Sequence, residues 1–534
     1  MKPSPLLDPA SAQALAFAWL AQAVRPASEY GERIFLTLRP YAPGDEASAR
    51  ARTRRVADAA ASLDDARLDA VRDALRGAPD AAGAIARASM GEVLADADFL
   101  ELQRFGDAIA RVDGLVSGAL GFEPIAGDAV RAAGRALEPG RSGKFGFYLS
   151  DAFDAGLAAA RSQLARLQAE FDAVRGRALA RAAAELGRDD VSGDEFILMR
   201  ADVRGALPPG VRVLREAPTY LLCAIEFDPA TLASLARRDA AADAVATAEE
   251  RVRSALSSIV RERAAGLDAA ARALGETDVL IAAARFTRRY DCCVAEIVTE
   301  PSLAFAGGRF LPLAVELAAE GRDFTPIDVD LHDAAVLTGP NMGGKSVCLR
   351  TCGFIALAAA FGLPVPARHA RTGLFGEIAW LGIGSDADPP GGLLSSFAKE
   401  VVRLRDVLER GSGRLLVLVD EFARTTTPLE GKALLVALLE RLRARGACGM
   451  LATHLAGVAR EAGARHFAVR GLRGIPHRPP AGDLHAALAT LAASMDYSIA
   501  QVGDDAPSGS DALALAALLG LDPELIAGAY RHLK

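Results

Sequence analysis

The sequence predicts a mixed fold: an α/β P-loop domain with a mostly parallel sheet, preceded by a large, mainly α-helical core and lever region carrying a small β insertion. Three observations predict it. "DAAVLTGP", "RLLVLVDE" and "ACGMLATH" are apolar runs that end in polar residues and alternate with helical patterns. Buried parallel strands read this way, with their working groups at the C-terminal ends. The glycine-rich "GPNMGGKS" (Gly339 to Ser346) ends the first run and precedes a helical pattern. Upstream, two long periodic segments without a proline, 151–187 and 231–275, flank a stretch of short β-favouring runs.

A chain of 534 residues exceeds one ordinary core. Region 1–150 reads as helical core, because "ARLDAVRDALRG" and "LADADFLELQRFGDAIARVDGLV" place apolar residues three and four apart. Region 151–300 holds the two long helices, which suggest an antiparallel pair projecting as an arm, or else two members of a compact bundle. Between them, at about 191–230, Pro-Pro-Gly and Ala-Pro punctuate short runs that read as strands or hairpins. Region 301–500 is the P-loop domain and 501–534 a closing helical segment.

Half of the residues (51%) are hydrophobic and 24% charged, the balance of a soluble globular protein. Net charge is −7, so no global basic surplus marks a phosphate-gripping surface, and a nucleic-acid site must be a local patch. No two of the six cysteines have zinc-finger spacing; Cys348 and Cys352 fall on one helix, and buried reduced thiols are the expectation. The N-terminus lacks the pattern of a secretion signal. "TCGFIALAAAFGLPVPA" is the longest uncharged stretch, and Gly and Pro break it before membrane length. A cytoplasmic protein with no membrane partner is expected.

"GPNMGGKS" fits G-x-x-x-x-G-K-[S/T] in full. Glycines let such a loop curl so that its N–H groups meet phosphate oxygens; the lysine adds a point charge near the β- and γ-phosphates, and the hydroxyl can ligate Mg²⁺. The chain carries positive charge almost wholly as arginine and has only six lysines, so Lys345 stands out. Nucleotide binding therefore falls to Gly339, Pro340, Asn341, Met342, Gly343, Gly344, Lys345, Ser346 and Val347. "RLLVLVDE" ends in Asp420 and Glu421. In phosphoryl-transfer sites the first acid of such a pair holds Mg²⁺ together with the loop hydroxyl of Ser346, and the second polarises the attacking water. An exposed acidic strand end is the plain reading, and the preceding phosphate loop weighs against it. His454, ending "GMLATH", is a candidate for the γ-phosphate side, although alone it would read as a capping histidine.

These residues resemble those of the MutS superfamily of ATPases. "TGPNMGGKS" is similar to that family's phosphate loop, made more specific by Pro-Asn-Met, and "LVLVDEFARTTTPLEG" resembles its Mg²⁺ strand and following loop. "LATH" resembles the strand with the switch histidine. "LLSSFAKE" (Leu393 to Glu400) resembles the loop that, in family dimers, crosses to the neighbour's nucleotide; Ser395 matches its serine, and Phe397 and Glu400 match residues after it. "FTPIDVDL" resembles the segment whose aromatic, here Phe324, stacks near adenine. More weakly, "ETDVLIAAARF" and the long helices look like the family's core and lever, and "DALALAALLGLDPELIAGA" like its closing segment. The resemblance implies a homodimeric ATPase using ATP and Mg²⁺, with Glu421, Lys345, His454 and Ser395 catalytic, and a DNA repair or recombination role.

Departures qualify the role. No mismatch-reading domain with a Phe-x-Glu wedge is found, and the family's Arg-Gly-Thr is here Arg424-Thr425-Thr426. The insertion sets Arg200, Arg204, Arg212 and Arg215 against Asp194, Glu195, Asp202, Glu216, Glu226 and Asp228. A clamp on a phosphate backbone should not be net acidic, so contacts to DNA would fall to arginines of the long helices such as Arg237 and Arg238. "GFYLSDAFDAGLAAARSQL" also looks like a MutS-related group associated with reactivation of cobalamin-dependent aminomutases. That resemblance implies a protein partner, a B12-dependent aminomutase, in place of DNA.

Overall fold

Each long helix starts where an aspartate can cap it. A computed structural model describes the chain except residues 144–145, 189–190, 192, 204, 341–342, 383–395, 411–413, 423–425, 473–493, 504–512, 514–515, 518–519 and 533–534. Helix α1 (Ala155–Leu186) begins with Asp154 accepting from the Leu157 N–H and ends on Gly187 at φ +61°. Helix α2 (Pro229–Glu262) has Asp228 accepting from the Thr231 N–H, with proline in its first turn, where no N–H is needed. Their 32 and 34 residues correspond to roughly 48 and 51 Å of helix at ~1.5 Å per residue. Arg161 pairs with Glu249 at 2.7 Å and Arg237 with Glu170 at 2.5 Å, a descending register that makes the pair antiparallel.

The intervening residues form strands β1 (Glu195–Met199), β2 (Val211–Glu216) and β3 (Tyr220–Ile225), an antiparallel sheet in the order β1-β3-β2. One face buries Leu198, Leu221 and Cys223 under Phe196, Val211 and Val213. The other exposes Ile197, Met199 and Leu214. This assembly belongs to a unit comprising Ala78–Ala110 and Ala126–Ala271.

The second unit collects Met1–Gly77, Arg111–Ile125 and Arg272–Lys534. Its small sheet joins β4 (Glu296–Val298), β5 (Leu303–Gly308), β6 (Ile327–Leu331) and, later in the chain, β8 (His369–Gly373), in the order β4-β8-β5-β6. The main sheet comprises β7 (Ala334–Thr338), β9 (Glu377–Gly382), β10 (Leu415–Asp420), β11 (Cys448–Ala452), β12 (Arg465–Leu472) and β13 (Met495–Val502). Its order is β9-β10-β11-β7-β12-β13; all neighbours are parallel except the last pair. The mostly parallel α/β sheet expected from the apolar runs is present. Every residue of β7 and β11 is buried, because helices cover both sheet faces.

Helix α3 (Lys345–Ala360) follows the glycine-rich loop and is buried nearly throughout. The long uncharged stretch is thus a central core helix, apolar all round because protein surrounds it. On the other face α5 (Pro428–Ala444) contributes Leu435, Leu438, Leu439 and Leu442 to a core with Val417 and Val419. Helix α4 (Ser396–Arg410) lays Phe397 against that core, 6.3 Å from the Phe422 ring. The open edge at β9 is met by the N-terminal segment. Leu6 O accepts from Ile378 N at 2.9 Å, and Ser11 Oγ accepts from Trp380 N at 2.9 Å, satisfying backbone donors that would otherwise invite another strand. All six cysteines are free; Cys292 and Cys293 are half-buried and the other four buried. Among the described residues no helix is long and apolar enough to cross a membrane.

Candidate nucleotide site

Strand β7 delivers the chain to the loop at Thr338, whose hydroxyl is hydrogen-bonded to His466 Nε2 on β12 at 2.8 Å. Gly339 follows at φ +151°, and a Cβ there would lie 2.9 Å from Val469 Cβ. Gly344, at φ +89°, is the residue from which α3 starts. Only glycine takes these conformations without strain, so the loop's curl is written into its composition. Asn341 and Met342 lie outside the described residues.

Lys345 is only 5% exposed. Its Nζ donates to Gly339 O at 3.0 Å and Pro340 O at 3.1 Å, and stands 3.6 Å from Glu421 Oε1. Ser346 and Val347, next along α3, are half-buried. The Ser346 hydroxyl faces the Asp420 carboxylate at the end of β10. Burial raises the Asp420 pKa above the usual carboxylate range, Glu421 adds to the rise, and Ser346, Arg350 and Lys345 oppose it. Glu421 adopts φ +56°, a left-handed conformation costing a non-glycine residue about 1–2 kcal/mol. Its N–H donates to Ala452 O on β11 at 3.1 Å, which helps to hold that turn. The structure therefore brings Lys345, Ser346, Asp420 and Glu421 together from two non-adjacent strands.

His454 and Phe324 lie beside strand ends. His454 is exposed, two residues beyond β11 at the same C-terminal edge of the sheet. Phe324 is half-buried just before β6. Ser395 lies outside the described residues, as do Arg424 and Thr425.

Two residues at the site escaped the sequence reading. Arg350 neighbours Asp420 electrostatically and stacks on Trp380, its guanidinium 5.6 Å from the ring centroid. It stands four residues after Ser346, so helical spacing contained the signal. Tyr497 on β13 lies over the loop: a Cβ at Gly344 would come 3.3 Å from its ring. Burial raises the Tyr497 pKa and Arg322 opposes the rise, which places Arg322, just before Phe324, near that ring. Pairing of β13 with β12 positions Tyr497, and no local pattern announces that pairing.

The oxygens of Ser346 and Asp420 suit Mg²⁺, a hard cation. Among the described residues no group of three or more His, Cys, Asp or Glu could hold a metal. Mg²⁺ usually keeps waters and shares a nucleotide's phosphates, so one carboxylate and one hydroxyl are the protein ligands it would need here.

A parallel sheet, a glycine-curled loop opening a helix, and an acidic pair on a nearby strand end define a P-loop domain of the nucleoside-triphosphatase class. Residues 335–471 match the family model described as MutS domain V. Endonuclease MutS2 of Symbiobacterium thermophilum is 37% identical over 211 residues, covering 38% of this chain and 25% of that protein. DNA mismatch repair protein MutS of Granulibacter bethesdensis is 36% identical over 262 residues, 47% of this chain and 28% of that one. An Endonuclease MutS2 of Clostridium botulinum is 30% identical over 269 residues, 49% and 33% of the two chains. Residues 335–471 are thus similar to MutS domain V, and the chain resembles MutS and MutS2 proteins over less than half of its length. It spans about a quarter to a third of the length of these curated relatives.

Proposed function

We propose that the chain binds ATP with Mg²⁺ on the loop Gly339–Val347, hydrolyses it, and couples nucleotide state to closure of the long-helix arms in a DNA-associated role. The observation that carries the hydrolysis reading is the cluster of Lys345, Ser346, Asp420 and Glu421, with Lys345 Nζ 3.6 Å from Glu421 Oε1. Lys345 exchanges its two loop carbonyls for phosphate oxygens, so the charge stays satisfied whether or not nucleotide is present. Ser346 and Asp420 hold the cation, which when bound neutralises charge on the phosphoryl oxygens. Glu421 orients the attacking water and accepts its proton. Phe324 rests against the adenine, His454 serves the γ-phosphate side, and Ser395 completes the site of a neighbouring subunit.

The DNA-associated role is supported by relatives named DNA mismatch repair protein and endonuclease. Reactivation of an aminomutase finds no support among them, and a protein partner rests only on the character of the β1–β3 sheet.

Two substitutions test the site. Lys345→Ala is expected to weaken ATP binding at least ten-fold, the loss of one charge-assisted contact. Glu421→Gln is expected to keep ATP binding and lower turnover by about 10²–10⁴. Equilibrium binding and steady-state hydrolysis read the two effects separately. Full turnover by Glu421→Gln would remove Glu421 as the base.

A further inference from the structure

Three helices far from the phosphate loop in sequence turn one face each toward a shared cavity of about 650 Å³. Helix Asp65–Arg76 presents Asp65, Leu68, Asp69 and Arg72, spaced i, i+3, i+4, i+7. Helix Ala264–Arg289 presents Ala282, Arg285, Phe286 and Arg289 with the same spacing, and helix Phe17–Ala23 adds Trp19. That spacing ordinarily marks an apolar stripe. Here it carries guanidinium groups over an aromatic floor.

The charges do not balance. Arg25, Arg72, Arg285, Arg288 and Arg289 line the cavity against only Asp65 and Asp69. Arg288 pairs with Asp65 at 2.6 Å and Arg285 with Asp69 at 2.8 Å, but both carboxylates are mostly exposed, at 76% and 61%. Such exposed pairs contribute little to stability. Arg25 is engaged by Glu32. Among the described residues no carboxylate lies within ion-pair distance of Arg72 or Arg289. Burial holds the Arg72 pKa below its usual value, Arg285 and Arg76 push the same way, and Asp69 and Asp73 oppose the shift. In a chain of net charge −7 this is a local positive site.

The floor is rigid. Trp19 lies 5.6 Å from Tyr290 and 6.0 Å from Phe354, and Tyr290 lies 5.2 Å from Phe286. Arg289 stacks over Tyr290, 5.4 Å from its centroid. Aromatic faces beside guanidinium groups that form no carboxylate ion pair bind a base by its ring and a phosphate by its charge.

We propose that this cavity binds a nucleoside phosphate, with the base against Trp19 and the phosphate on Arg72 and Arg289. The nucleotide is either free or part of a single strand. The site is separate from ATP hydrolysis and does not depend on it.

The chain has two tryptophans, and Trp380 is only 1% exposed, so quenching of intrinsic fluorescence reports Trp19. The full chain, its phosphate loop saturated with a non-hydrolysable ATP analogue, is titrated with adenosine monophosphate and with a short single-stranded oligodeoxythymidylate. Quenching is expected from one or both probes. Arg289→Ala, a rim change that leaves the fold intact, is expected to weaken binding several-fold, and Arg72→Ala with Arg289→Ala at least ten-fold. For the oligonucleotide, each lost arginine should lower the slope of log affinity against log salt by about 0.7. Basal ATPase activity should be unchanged in these variants. Quenching by the monophosphate alone, or by the strand alone, with this arginine dependence supports the site and identifies the source. Quenching that ignores both arginines, or no quenching by either probe, overturns it. So would displacement of neither probe by inorganic tripolyphosphate, since the phosphate would then not be what Arg72 and Arg289 hold.

Discussion

Asp278 shows what one buried carboxylate can organise outside the site. It is 1% exposed and accepts from Ala27 N at 3.0 Å, Ser28 N at 2.6 Å and Ser28 Oγ at 2.6 Å. Ser28 in turn caps the helix Glu29–Thr37 by accepting from the Gly31 N–H at 3.1 Å. Asp278→Ala would strand those donors and is expected to cost about 3 kcal/mol, near the upper range for buried donors left unsatisfied. The pH dependence is opposite to that of an exposed ion pair. Burial raises the Asp278 pKa above the ordinary 3.8, outweighing the hydrogen bonds that lower it. The native state then holds the proton more tightly than the unfolded state. Its contribution is complete below 3.8 and declines as pH rises through the folded value. Urea midpoints should show the gap between the parent and Asp278→Ala narrowing over that range. A gap that widened would mean that the N–H donors dominate. Nothing local announced this contact, because its partners lie some 250 residues apart. Lys345, Ser346, Asp420 and Glu421 were legible because a loop motif and a strand end are local patterns.

At the scale of elements, legibility followed burial. Strands β7, β10 and β11 stood out because residues buried on both faces make continuous apolar runs. The N-terminal cover over β9 did not, because Leu6 and Ser11 act there through a backbone carbonyl and a hydroxyl. Glycines divide in the same way. Gly353 lies in the middle of α3, and a Cβ there would meet Leu15 Cδ2 at 2.4 Å and Leu418 Cδ1 at 2.8 Å. Gly176 lies in the middle of α1 with nothing within 4 Å. Gly353→Ala is therefore expected to destabilise by about 1–3 kcal/mol through overpacking. Gly176→Ala should stabilise by about 0.5–1 kcal/mol through helix propensity alone. Denaturant unfolding of the two variants checks the contrast; equal and opposite signs to these would mean that the packing around α3 is looser than the distances imply.

For the molecule as a whole, charge decides what the pair of long helices is expected to meet. Arg200 in the insertion is held by Glu216 at 2.6 Å. Arg237, one of two long-helix arginines expected to serve phosphate, is held by Glu170 at 2.5 Å. The other, Arg238, pairs with Asp239 at 2.5 Å and stacks over Phe171, 5.3 Å from its centroid. Each phosphate contact would first have to break such a pair, and counterion release then rewards only the groups set free. The exposed face of the β1–β3 sheet is apolar at Ile197, Met199 and Leu214, which suits a protein surface better than a phosphate backbone. Duplex DNA is therefore expected to bind weakly, with a shallow slope of log affinity against log salt and no preference for a mismatch. Arg237→Ala and Arg238→Ala should each change duplex affinity less than two-fold. The measurement is titration of labelled matched, mismatched and branched duplexes at two salt concentrations, with and without ATP. Tight binding at physiological salt that is selective for a mismatch or a branch, and lost in either arginine variant, would return duplex DNA to the arms. Stimulation of hydrolysis by a protein, abolished by Ile197→Asp or Met199→Asp while basal turnover is kept, would assign the exposed sheet face to that partner.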